Sequence, residues 1–357
     1  MPSILGNFLR LSAAAFAVAT LAASPLSAQQ RFDGVTLRVA TFGGVWRDIM
    51  DKELSPKFAA LGGKLEFITG SPQVNFAKLI AARGRPPFDV MEILDAQTGD
   101  FAKTDFLLPI DYSKIPNGQY LSDFQKQKML IASWATQEGI CYNVDKYKEL
   151  GLPAPTTYKD LANPALVGKV MIPDINSGGG LAGFGAMAYA AGGDEKNVAP
   201  GVELIKSLKT LKFWAQGDQV VLSFQSGDIV AAVAHTGWCL RTFKQGQPVA
   251  AVHPTINAKT TGVSKDGWLG VIKGTPNEAA ATWFLNQYVD ADYQLTFSIV
   301  GGVVPVNTKA IQRMGEDPVF AKMMQLKPEQ MAQQLHIDYT KVNIPEWVDQ
   351  WNRMVVK

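Results

Sequence analysis

Residues 35–46 read VTLRVATFGGVW, and this stretch sets the reading of the chain. Val35 to Ala40 is a short β-branched and apolar run, which reads as a strand. Thr41-Phe42-Gly43-Gly44 is a glycine turn. From Val45 to Ala60 the apolar residues Trp46, Ile49, Leu54 and Phe58 recur at helical spacing, with an early stop or kink expected at Pro56. The grammar then repeats. Lys64 to Thr69 is a second strand, Asn75 to Arg83 a second helix, and Phe88 to Leu94 (FDVMEIL) a third, mostly apolar strand. Alternation of this kind predicts an α/β fold whose parallel sheet is covered on both faces. Such sheets bind ligands beyond the carboxyl ends of their strands. Phe42, Gly43 and Trp46 after the first strand, with Asp95 and Gln97 after the third, are therefore candidate ligand-binding residues.

The same grammar continues through the middle of the chain. A strand is expected to end at Gly139 to Asn143, another covers Lys169 to Pro173, and a helix follows from Leu181 to Ala191. Val220 to Phe224 and Ile229 to Ala234 are apolar runs separated by small turn residues. Trp268 to Ile272 precedes a helix near Asn277 to Val289. At roughly 100–200 residues per domain, 357 residues suggest two domains. No flexible linker separates them, which points to interleaved lobes joined by crossing strands.

Composition narrows the function. The chain is 47% hydrophobic and 18% charged, with a formal net charge of +2. It can bury an ordinary core, and it has no basic stripe to bind nucleic acid. Met1 to Arg10 carries one positive charge. LSAAAFAVATLAA, residues 11–23, is too short to span a bilayer, which takes about 20 residues. Small residues end this segment at Ala28. Residues 1–28 thus read as a secretory signal peptide, cleaved after Ala28. The remaining chain would hold 33 basic and 32 acidic residues. Cys141 and Cys239 would then sit in an oxidising space, as a disulfide or as two unrelated buried thiols. The disulfide is the preferred expectation, because both lie close to strand ends.

The chemistry-bearing motifs are few. GGGLAG at residues 178–183 fits G-x-G-x-x-G, with Asp194 and Glu195 downstream. Five residues separate it from its strand, so the turn is not the tight one a dinucleotide needs. The better reading is a helix N-terminus at Ser177, Gly178 and Gly179 that offers free N–H groups to a small anionic ligand. His235, His253 and His336 are too scattered for a metal motif, and no nucleophile elbow occurs. Trp46, Trp134, Trp238 and Trp268 lie near strand ends or turns, where indoles wall a cleft or fill a core. Arg241, three residues after Trp238, is a candidate clamp for an anion or a plain surface arginine.

The order of segments resembles the extracellular solute-binding proteins of ABC importers, in the spermidine/putrescine-type group. The resemblance rests on RVATFGGVW (38–46), FDVMEI (88–93), DFLLPID (105–111), GICYNVDKY (139–147), TTYKDLANPALVGKVMIPD (156–174), FQSGDIVAAVAHTG (224–237), KGTPNEAAATWFLNQYVDADYQ (273–294) and GGVVPVN (301–307). It implies a two-lobed type II periplasmic binding protein fold with a hinge and an interlobe ligand cleft. By the family's order, lobe one takes 29–133 and 266–308, and lobe two takes 134–265 and 309–357. It also implies a periplasmic monomer that binds a small molecule without a cofactor or catalysis, closes its lobes on it, and docks on an ABC permease.

Polyamine binders in this group use acids against the amines and tryptophans against the methylenes. Here the acid-bearing position falls on Gly267 with Asp266 beside it, and the expected tryptophan is His235 with Trp238 just after. Ser177, the glycines and Arg241 favour a carboxylate or phosphonate, with Asp266 or the tryptophan faces taking any amine. An anionic or zwitterionic compound and a polyamine both stay open. So do a metal complex or thiamine-like ligand, and a secreted enzyme of unidentified type.

Overall fold

A computed structural model of the protein describes residues 30–82 and 84–354. The expected signal peptide and its cleavage point lie outside the described residues. Twelve strands are described. In chain order they are β1 (Thr36–Thr41), β2 (Lys64–Thr69), β3 (Val90–Leu94), β4 (Ile131–Asn143), β5 (Val170–Pro173), β6 (Lys212–Trp214), β7 (Ala231–His235), β8 (Val249–Val252), β9 (Thr255–Asn257), β10 (Thr260–Thr261), β11 (Val263–Val271) and β12 (Leu335–His336). β9 and β10 form a separate ribbon; the main sheet runs β2-β1-β3-β11-β4-β7-β5-β6.

Two parallel sets lie at the ends of this sheet: β1 with β2 and β3, and β5 with β6 and β7. The long strands β4 and β11 join them. β3 pairs antiparallel with β11, β11 with β4, and β4 with β7. β3 therefore runs in the direction of β4, and β7 runs against it. The carboxyl ends of the two parallel sets point at each other. Leu94 is level with Gly267 and Trp134, whereas His235 is level with Glu138. Four residue steps of β4 separate those levels, about 13 Å at roughly 3.3 Å per residue. That gap is wide enough for a small molecule, and the middles of β4 and β11 form its floor.

Each set carries its own core. Residues up to Trp134 and from Trp268 to Val306 build one apolar cluster. Residues from Ile140 to Val263 build a second, to which Trp347 and Trp351 of the C-terminal helix Ile344–Met354 are added. A third cluster joins Cys141 and Cys239 to Ile311, Met314 and Phe320 beyond residue 309. Gly237 packs closely on the backbone at Gly302: a Cβ there would meet the Gly302 carbonyl oxygen at 2.1 Å. Only glycine lets these two backbones approach so closely.

One expectation changes. The helix Val45–Ala59 runs through Pro56 without stopping there. Pro56 lies in its last turn and forgoes only its own backbone bond to Lys52. The strand expected to end at Asn143 does end there and starts at Ile131; its first half, a crossing strand, mixes small, polar and aromatic residues. Cys141 and Cys239 are bonded, with Cα atoms 5.5 Å apart. The helix Thr236–Lys244, which follows β7 directly, brings Cys239 back over β4. No helix of the described residues is long and apolar enough to cross a membrane.

Candidate functional site

Side chains leave a strand on alternate faces, and the residues of β11 divide accordingly. Lys265 faces one side: its Nζ donates to the Gly178 carbonyl at 2.7 Å and lies 5.8 Å from the centre of the Trp134 ring. Asp266 faces the other side, where Ser264 Oγ donates to it at 3.2 Å and His336 Nδ1 lies 3.0 Å away. The Lys265 face also holds the turn after β1 and the helix N-termini at Val45 and Gly180. This is the cleft that the two sets of strand ends enclose.

In the first lobe the cleft wall is organised by Glu92, a buried acid in the middle of β3. Thr41 Oγ1 donates to it at 2.5 Å, Trp46 Nε1 at 2.9 Å and Trp134 Nε1 at 2.6 Å. Burial pushes this carboxyl above the usual carboxylate range, although those donors oppose the shift. The bonds fix both indoles. Trp46 stays partly exposed and meets Phe42 edge-on at 5.7 Å, while Gly43 is exposed beside them. Trp134 is 2% exposed. Its ring fills the space above Gly267, where a Cβ would meet it at 2.1 Å.

In the second lobe, Ser177 Oγ is buried with no hydrogen-bond partner among the described residues, just before the helix Gly180–Ala190. Gly179 packs against Trp214, Glu138 and His235. His235 Nδ1 lies against the Glu138 carboxylate, which is fully buried. Lys265 and the Glu138–His235 pair were not singled out from the sequence. An acid inside the apolar strand FDVMEIL, and another in ATQEGICYN, were the available signals for Glu92 and Glu138.

Several candidates take other places. Asp266 does not face the cleft, because alternation along β11 turns it to the rear. There it joins His336 and Phe124 in lining a cavity of about 1090 Å³. Trp268 is on that same rear face, buried in the first core with its edge against Phe124. Trp134 is a buried cleft-floor residue rather than an exposed wall. Gln97 is buried and accepts from the Leu94 backbone N–H at 3.2 Å, so it caps a turn. Trp238 packs on Gly217, and the exposed Arg241 stacks on its indole at 4.5 Å. Among the described residues no group of three or more His, Cys, Asp or Glu side chains is placed to hold a metal ion.

Asp95, directly after β3, is a second perturbed acid. Burial, helped by the charge of Asp266 and opposed by Lys265, pushes it up to about 7. A carboxyl raised in the folded state contributes stability at low pH, and this is lost as pH climbs from its ordinary value towards 7. Asp95→Asn should therefore gain stability over the parent at about pH 8 and gain much less at about pH 4. Urea unfolding across that range checks it; an equal difference at both ends would contradict the assignment.

Residues 59–328 match the family model for bacterial extracellular solute-binding proteins. The chain belongs to this family. No curated protein matches it. Solved structures of the same fold are numerous. The solute-binding protein superposes on an ABC transporter structure from Clostridium perfringens with TM-score 0.72 and 23% identity, covering 89% of this chain and 99% of that one. The spermidine/putrescine substrate-binding protein PotD of Streptococcus pneumoniae gives 0.71 and 18%, covering 90% and 99%. AgtB of A. tumefaciens R10, solved in complex with agropinic acid, gives 0.64 and 20%, covering 91% and 100%. The solute-binding protein thus has the two-lobed type II periplasmic binding fold.

Proposed function

We propose that this protein is the periplasmic solute-binding component of an ABC importer, and that it captures an anionic or zwitterionic organic compound. The observation that carries the ligand class is Lys265. It brings a buried cation to the cleft at Gly178, next to Ser177 with its unpartnered Oγ and just before the helix that begins at Gly180. A helix N-terminus and an ammonium together favour a carboxylate or phosphonate. The position that carries an acid in polyamine binders is Gly267, and Trp134 occupies the space a side chain would need. A polyamine would find indoles in this cleft but Lys265 in place of its acid. The agropinic acid of AgtB and the spermidine and putrescine of PotD's name span both ligand types, so fold likeness does not choose between them.

Capture works by hinge closure. The lobes are proposed as 29–133 with 266–308, and 134–265 with 309–357, in keeping with the separate cores. A ligand that touches both lobes adds contacts only when they meet, which shifts the equilibrium towards the closed form for delivery to a permease. A thermal-shift panel of polyamines, opines, amino acids and phosphonates tests this. A true ligand at a hundredfold excess over Kd adds about 2.7 kcal/mol of stability. Shifts from anionic or zwitterionic members are expected, with no turnover by mass spectrometry. Shifts from spermidine and putrescine alone would reverse the ligand class.

A further inference from the structure

Glu138 and His235 face each other in register across β4 and β7, at the lobe-two edge of the cleft. Glu138 is 0% exposed. One of its oxygens lies against His235 Nδ1 as an ion-pair contact and accepts from Thr136 Oγ1 at 3.3 Å; neither Nδ1 nor the other oxygen has an aligned hydrogen bond among the described residues. Two lone pairs cannot sit against each other, so a proton lies between them, and an ionised carboxylate leaves it on Nδ1. No hydrogen bond reaches His235 Nε2 among the described residues. Nε2 points towards Gly178, lying 3.9 Å from where a Cβ there would stand, and the Gly178 carbonyl is the one that accepts from Lys265 Nζ.

We infer that Glu138 is a positioning residue that holds His235 with its proton on Nδ1, leaving a lone pair on Nε2 that selects ligands bearing an ammonium or hydroxyl donor beside their anionic group. The inference rests on the anionic or zwitterionic reading above and deepens it. Lys265 and the helix end would hold the anion, and the neighbouring imidazole would accept from the donor. The surrounding charges agree. Burial and Lys265 favour the neutral imidazole over the opposing pull of Glu138. Asp95 interacts with the charge of Lys265, and Tyr158 and Tyr339 with that of Glu138.

Two measurements on the full mature chain test this. Long-range ¹H–¹⁵N NMR resolves the three histidines, with His235→Phe giving the assignment. At neutral pH, His235 should show a protonated Nδ1 and a bare Nε2, and Glu138→Gln should abolish that pattern. A protonated Nε2 in the parent overturns the assignment. Calorimetry then compares glutamate, 2-hydroxyglutarate and glutarate, which share two carboxylates and differ in the donor. The first two should bind at least about tenfold tighter than glutarate. That advantage should vanish in both Glu138→Gln and His235→Phe. Equal binding of all three by the parent overturns the donor selection. If none binds, the ligand half falls, and the spectrum alone upholds or overturns the tautomer.

Discussion

Replacing Cys141 and Cys239 together with alanine should lower the stability of the second lobe by about 3–5 kcal/mol. The bond closes a loop of 98 residues. In the chain-entropy account a loop of about that length restrains the unfolded chain by roughly 4–5 kcal/mol. Both half-cystines are buried in one apolar cluster, so alanine leaves small gaps and no unpaired charge. The loop contains β5, β6, β7 and the helix N-terminus at Gly180, so its loss loosens the cleft wall as well as the core. Denaturant unfolding with and without reductant checks this. The oxidised parent should be the most stable species, and the alanine pair should match the reduced parent. An alanine pair as stable as the oxidised parent would show that the unfolded chain gains nothing from being cut free.

The parallel strands were legible because both of their faces are buried, which writes them as apolar runs closed by glycine or polar turns. β1, β3 and β5 are of this kind. The crossing strands were not. IASWAT opens β4 with alternating small, polar and aromatic residues: Trp134 turns to Glu92 on the cleft wall, and the Ser133 carbonyl accepts from the buried Gln294. Sequence put the cleft at strand ends, yet it could not say which neighbour on β11 faced it. Lys265 and Asp266 are adjacent in the chain and opposite in space, and a one-residue choice of register exchanges cation for anion. The tryptophans illustrate a second gap. Trp46 and Trp134 look alike as candidate cleft walls, but the reach of Glu92 fixes one at the cleft edge and holds the other over Gly267.

Lys265→Met should weaken binding of the best anionic compound in the panel by about 2–5 kcal/mol, at least thirtyfold. Methionine keeps most of the stem's packing beside Trp134 and removes only the charge. The anion would then face the helix N-terminus and Ser177 without a partner cation. Stability should change in a diagnostic direction too. Lys265 opposes the rise of Asp95, so its removal should drive that acid higher and steepen the loss of stability towards neutral pH. Two controls separate this from a general effect. Arg241 is exposed and rests on Trp238, so Arg241→Ala should leave affinity within about twofold, an exposed charge being worth little. Asp266→Asn breaks the pair with His336 on the rear face and should alter stability more than affinity. Isothermal calorimetry on the three variants decides between the two cations. A silent Lys265→Met with a damaging Arg241→Ala would move the anion to the outer surface of the second lobe and remove Lys265 from the site.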